Sequence, residues 1–358
     1  MQNKPFTKAI AVRAVAFCLI LILMTIYLTR LLTPKFVFEN SSWPSTSTFT
    51  QFYQMEDRTI DVLFLGSSSM STACIPQYIY DNYGITSYNL ATTEQTLITS
   101  YYWLKEALRY QHPSVVCLDN QMLFTFYADE KLNFKEPGQR KDFDRMRWSK
   151  VKVEAVNDFC RLDPEQSRLS YYFPLVRYHD RFKELTRLDF DYNISKLYGF
   201  APLVGSLHED GEADFVPLKD LQNAAIPDTE QSEQAEILPL MQEYMDKIIA
   251  LCRENDIQLV LVTTVSPMQT QTRHDHASEY AAANNLPYLD FNTEALYNRT
   301  GMDYFTDCYD TRHMTVSGAE KISDYLAEFL LSQNMVKPRT LSCFEDTRQY
   351  YQDFYQGE

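Results

Sequence analysis

Two short segments carry side chains suited to acyl chemistry. Gly66-Ser67-Ser68-Ser69 follows the apolar run Asp61–Leu65. A small residue at a tight turn lets backbone N–H groups face a substrate, and a serine there stands at the mouth of a cleft. Far downstream, Asp310-Thr311-Arg312-His313 precedes a helix-like stretch. An Asp three residues before a His can curl back and accept the imidazole Nδ1–H, leaving Nε2 to take a proton from a hydroxyl. Ser68, His313 and Asp310 thus supply nucleophile, base and orienter. Each segment alone also has a plain reading. Serines after a strand are commonly turn residues or N-caps, and a surface His beside an Asp is frequent. It is the pair, at the two ends of one domain, that points to catalysis.

For these residues to meet, the chain between them must form a layered domain. Asp61–Leu65, Ser87–Ala91, Ser114–Leu118, Gln258–Thr264 and Pro287–Phe291 are short apolar runs that predict buried strands. Helices are expected at Pro76–Tyr83, Gln95–Tyr110, Pro239–Asn255, around Ala277–Asn284, and at Ser317–Ser332. Proline suits the first turn of two of them, and Ser317-Gly318-Ala319-Glu320 reads as a capping box. Strands alternating with helices predict an α/β fold with a mostly parallel sheet covered on both faces. Between about 124 and 236 this rhythm breaks into a long, polar, partly helical stretch. It is too long for a simple loop and reads as an insertion that folds over the sheet.

Composition narrows the function classes. The chain has 358 residues, 45% apolar and 23% charged, which is ordinary globular content. Its net charge of −15 argues against nucleic acid as a partner, because a phosphate-binding face must be basic. Aromatics reach 14%, which suits either a Tyr- and Phe-rich core or a sugar-stacking surface.

Residues 14–32 form an apolar run, nineteen residues that span roughly 28 Å as a helix, close to the thickness of bilayer hydrocarbon. Lys4, Lys8 and Arg13 precede it, and Arg30 and Lys35 sit at its far end. The balance predicts a cytoplasmic tail at 1–13 and an extracytoplasmic remainder. The alternative is a cleaved signal peptide, but no small-residue cleavage site follows directly. The organisation expected is a span at 14–32, a polar stalk at 33–56, an α/β domain at 57–335 and an extension at 336–358. Of seven cysteines, Cys18 lies in the span; the others show no CxxC or metal-like spacing, and Cys117 reads as a buried thiol.

With these motifs in view, the sequence resembles the SGNH/GDSL hydrolase superfamily, and more narrowly its membrane-anchored cell-envelope branch with the lipoteichoic-acid D-alanylation and alginate O-acetylation proteins. The matching segments are Asp61–Met70, Ser87–Asn120, Gln258–Pro267 and Phe305–Leu330, under half the chain. Ser170–Leu185 also resembles an insertion segment of anchored relatives. The resemblance implies a flavodoxin-like three-layer sandwich and acyl transfer through an acyl-serine. It assigns the nucleophile to Ser68, with Ser67 in place of the usual Asp, and the base pair to His313 and Asp310. It implies an oxyanion hole from the Ser68 N–H, a second-block glycine N–H and a third-block asparagine. Here Glu94 stands where relatives have glycine, and Asn120 is the local candidate for the asparagine. The expected activity is an esterase or O-acyltransferase acting on an envelope glycopolymer, partnered with a multispanning membrane O-acyltransferase and needing no cofactor. The departure at Glu94 motivates the alternative, a non-catalytic accessory protein that recruits such an acyltransferase or binds polysaccharide.

Weaker features have plain readings beside sharper ones. Arg177 and His179, in the insertion, suit an anionic polymer or acyl donor, or an ordinary charged helix face. His274-Asp275-His276 suits a metal, but without further ligands it reads as an exposed loop or helix start. Asn40, Asn193 and Asn298 open glycosylation-type triplets. The sequence holds no P-loop or GxGxxG.

Overall fold

In a computed structural model, residues 8–35, 47–124, 136–190, 194–208, 215–218 and 236–356 are described. The chain divides into two compact units, Met1–Lys35 with Val156–Tyr192, and Phe36–Ala155 with Asn193–Glu358. The larger unit contains a five-stranded sheet, β1 Val62–Leu65, β2 Ser87–Asn89, β3 Val115–Asp119, β4 Gln258–Thr263 and β5 Tyr288–Asp290. Its order is β2-β1-β3-β4-β5, and every pairing is parallel. This is the doubly wound α/β arrangement expected from the alternating pattern. The central strands VLFL and VVCLD are buried along their whole length. Strands covered on both faces carry unbroken apolar runs, which is why they were legible in the sequence.

Helices fill the crossovers. Pro76–Tyr83 starts on Pro at N1 and stops at Gly84, whose φ of +65° suits a left-handed cap. Leu97–Ala107 is capped by Thr96, and Pro239–Glu254 begins at its own proline. Gln271–Ala283 starts earlier than expected because the Thr270 hydroxyl accepts from Arg273 N–H. The last long helix spans Val316–Ser332. Its cap is Thr315, not Ser317; the Thr315 hydroxyl accepts from Gly318 N–H, while Ser317 Oγ donates to Asp307 Oδ1 at 2.7 Å.

Two outer segments differ from expectation. The second half of the expected stalk, Ser47–Phe52, is a helix packed into the core, where Phe49 stacks on Trp103 at 4.3 Å and Phe52 meets Tyr88 edge-on. The first half, 36–46, lies outside the described residues. In the C-terminal stretch, the helix Ser342–Gln356 buries Phe344 against Tyr80 and Tyr198, with ring centroids 4.8 and 4.3 Å apart. Polar sequence hid both segments because their aromatics find partners only in the folded state.

The smaller unit holds one helix long and apolar enough to cross a membrane, Lys8–Leu32. It begins earlier than the apolar run at 14. The unit also contains the short helices Arg168–Tyr172, Leu175–Tyr178 and Arg187–Phe190. The stretch expected as an insertion is largely helical over residues 136–190 and without helix over 194–208 and 215–218, and parts of it fall in each unit.

Candidate active site

The site forms at the carboxyl ends of β1 and β3, where the strand order reverses and open α/β sheets bind ligands. Gly66 ends β1 with φ +140°, and a Cβ there would lie 2.3 Å from the Asp119 Cβ on β3. Only glycine lets the chain turn this close to its neighbour. Behind the turn, Asp119 accepts from Ser67 N–H at 3.2 Å, Ser67 Oγ at 2.6 Å and Gln121 N–H at 3.0 Å. Burial raises the Asp119 carboxyl above its ordinary value against the pull of these bonds. Ser67 is thus bonded to a carboxylate from the neighbouring strand β3.

The three serines are not equivalent. Ser67 and Ser69 are buried and committed to the turn, whereas Ser68 is partly exposed. Ser67 caps the helix Ser68–Ala73, which puts Ser68 in its first turn. Its N–H donates to no acceptor among the described residues.

His313 comes from the other end of the unit. Its ring lies 2.8 Å from Asp310 Oδ2 through Nδ1 and 2.8 Å from Ser68 Oγ through Nε2. A carboxylate facing Nδ1 fixes the proton there, so Nε2 accepts from the Ser68 hydroxyl. Asp310 Oδ1 also accepts from the N–H groups of Arg312 at 2.8 Å and His313 at 2.9 Å, which closes the turn that aims the ring. Burial pulls the Asp310 carboxyl upward, but His313 and these N–H groups outweigh it and hold it below the usual carboxylate value.

Further contacts lock the two segments together. Met314 N–H donates to Thr72 Oγ1 at 3.2 Å, and Ser266 Oγ to the Thr311 carbonyl at 2.7 Å. The last helix approaches so closely that a Cβ on Gly318 would lie 2.1 Å from the Asp307 carbonyl oxygen. Asp119, Thr72 and Ser266 were not singled out from sequence. A signal existed for Asp119, a carboxylate at the end of a predicted strand beside the GSS turn.

The other candidates fall in different places. Glu94 adopts φ +58°, the left-handed backbone that glycine enters most readily. The turn it occupies is joined to the nucleophile turn by the Thr92 N–H, which donates to the Gly66 carbonyl at 3.2 Å. The helix Glu136–Phe143 backs this turn. Lys141 Nζ donates to the Thr93 carbonyl, and Thr92 Oγ1 donates to Asp142 Oδ1 at 2.8 Å. Burial lowers the Lys141 ammonium and pushes the Asp142 carboxyl up to about 6. Asn120 is buried, and its Oδ1 accepts from Thr263 Oγ1 at 2.5 Å, while its Nδ2 has no hydrogen-bond partner among the described residues. Arg177 and His179 belong to the smaller unit. His274 lies at a helix start, the second of the two plain readings: it sits in the first turn of Gln271–Ala283, with Nδ1 2.7 Å from Asp290 Oδ2. Among the described residues no group of His, Cys, Asp and Glu is arranged to hold a metal ion. Cys117 is a buried free thiol, pushed up to about 12 by burial.

No family model matches the sequence, and no curated protein does. Among solved structures, the fold is similar to a protein of Bacteroides fragilis NCTC 9343 solved under the description of an acylhydrolase. The identity is 12% and the TM-score 0.34, over 80% of this chain and 95% of that one. A gut microbial diltiazem-metabolizing enzyme is similar at 14% identity and TM-score 0.27, over 78% of this chain and 48% of that one. At this distance neither neighbour assigns a chemistry to this chain.

Proposed function

We propose that this chain is an SGNH-type serine acyl hydrolase or acyltransferase with Ser68 as its nucleophile. The observation that carries the reading is the relay from Ser68 Oγ through His313 to Asp310 at the rim of a parallel sheet. Ser68 Oγ attacks an ester carbonyl as His313 Nε2 takes its proton. The oxyanion that forms faces the Ser68 N–H, a donor with no competing acceptor among the described residues. Collapse breaks the bond to the leaving alcohol, which receives the proton from Nε2, and acyl-Ser68 remains. Water or an acceptor hydroxyl, deprotonated by the same nitrogen, then releases the acyl group. Water yields a free acid; a sugar or polyol hydroxyl yields a new ester. Asp310 stabilises the imidazolium in both halves.

The setting follows from the apolar helix. Lys4, Lys8 and Arg13 ahead of its apolar run at 14–32 support a single span with a short cytoplasmic tail. With that topology, the resemblance to the membrane-anchored SGNH branch implies an ester on a cell-envelope glycopolymer as substrate and a multispanning O-acyltransferase as partner. The accessory reading, without catalysis, rests on Glu94 standing at a glycine position. The left-handed φ of Glu94 weakens it, because the backbone path that a glycine would allow is kept.

The test is turnover of p-nitrophenyl acetate by the purified full chain. Ser68→Ala is expected to lower kcat by about 10⁴-fold or more while leaving the Tm unchanged. Undiminished turnover by the variant would refute the assignment, and a polyol that diverts acyl groups from water marks the transferase.

A further inference from the structure

In the smaller unit, the chain returns to the end of the apolar helix. The last carbonyls of Lys8–Leu32 lack intrahelical partners, as at any helix end. Lys35 Nζ donates to the carbonyls of Arg30, Leu31 and Thr33 at 2.5, 3.1 and 3.0 Å. Arg181 donates to the Leu32 carbonyl at 3.2 Å from 149 residues away, and pairs with Asp189 at 2.7 Å. Asp189 lies 3.8 Å from Lys35 Nζ, and both side chains are 1% exposed. Two cations therefore satisfy a negative helix end, and one buried carboxylate balances them. These bonds fix the segment Arg168–Phe190 at the terminus of the helix.

The same segment turns large apolar side chains outward. Leu169, Phe173, Val176, Phe182 and Phe190 are between 47% and 65% exposed. Leu169 lies in the helix Arg168–Tyr172, Phe173 follows its last residue, and Val176 lies in the helix Leu175–Tyr178. Arg168, Arg177, Lys183 and Arg187 lie among them. The segment has five Lys and Arg against three Asp and Glu, in a chain whose net charge is −15. Aromatic and basic side chains together, at the point where a span ends, match the chemistry of a bilayer interface.

We infer that Arg168–Phe190 lies in the lipid headgroup layer, with Phe173, Phe182 and Phe190 at the acyl boundary and its cations on lipid phosphates. This rests on reading Lys8–Leu32 as a membrane span. Lipid is the occupant because the segment is bonded to the span's own end: the depth of the helix sets the depth of the segment. Its local positive charge also complements phosphate, against the sign of the chain as a whole.

The full chain in nanodiscs of phosphatidylcholine and phosphatidylglycerol, doped with a phospholipid carrying an acyl-chain diazirine, provides the test. After irradiation and peptide mapping, lipid adducts are expected on Lys8–Leu32 and on Arg168–Phe190. The triple variant Phe173→Asp, Phe182→Asp, Phe190→Asp is expected to lose the second set and keep the first. Adducts confined to the helix in the wild-type chain overturn the interface segment but leave the span standing. Adducts on neither overturn both, and undiminished labelling of the triple variant overturns the role given to the aromatics.

Discussion

His313 Nε2 reaches Ser68 Oγ at 2.8 Å across 245 residues of chain, and the next residue, Met314, ties its N–H to Thr72 at 3.2 Å. The base is thus registered to the nucleophile's helix by a backbone bond that takes no part in proton transfer. Thr72 is fully buried. Thr72→Val keeps the shape but leaves the Met314 N–H unpaired, a cost of about 1–3 kcal/mol. Urea unfolding should show that loss, and kcat for ester hydrolysis should fall roughly tenfold as the ring loses its registration.

Asp310→Asn tests the orienting carboxylate. The neutral amide cannot stabilise an imidazolium, so kcat should fall by about 10³–10⁴-fold with KM little changed. The pH dependence has a defined sign. Because the folded carboxyl is held below its ordinary value, its interactions stabilise the fold at pH above about 4 and are lost as pH falls through the lower folded value. The Tm gap between wild type and Asp310→Asn should therefore be full near neutrality and shrink in acid.

Much of this was legible in the sequence, for physical reasons that also explain what was not. β1, β3 and β4 are buried on both faces and show as unbroken apolar runs. Pro76 and Pro239 mark helix starts through fixed φ. The serine and histidine segments stood out because their chemistry is local. Asp119 did not, since its partner Ser67 lies 52 residues away and only strand pairing joins them. Ser47–Phe52 looked like stalk because its burial depends on the rings of Trp103 and Tyr88. The cap of the last helix lies two residues earlier than residue type suggests: Ser ranks above Thr as a cap, but Asp307 engages the Ser317 hydroxyl and Thr315 takes the role.

Glu94 holds a conformation that costs a non-glycine residue about 1–2 kcal/mol. Glu94→Gly should therefore stabilise the fold by roughly 0.5–1 kcal/mol after the extra chain entropy of glycine. Glu94→Ala should give no gain, because alanine meets the same strain. Denaturant midpoints of the three proteins decide this.

Asp142 gives a second pH signature, opposite in sign to that of Asp310. Burial raises its folded value to about 6, so the folded state holds a proton that the unfolded chain has released. Stability from this group is fully present below the ordinary carboxyl value of about 4 and is lost as pH rises to about 6. Asp142→Asn should flatten the Tm profile in that window. An unchanged slope would show that Asp142 is ionised throughout, paired with Lys141.

The most direct measurement is mass mapping of the full chain after reaction with a fluorophosphonate. One adduct on the peptide carrying Ser68 is expected, absent in Ser68→Ala and strongly slowed in His313→Ala. An adduct on another residue, or equal labelling of Ser68 without His313, would contradict the relay.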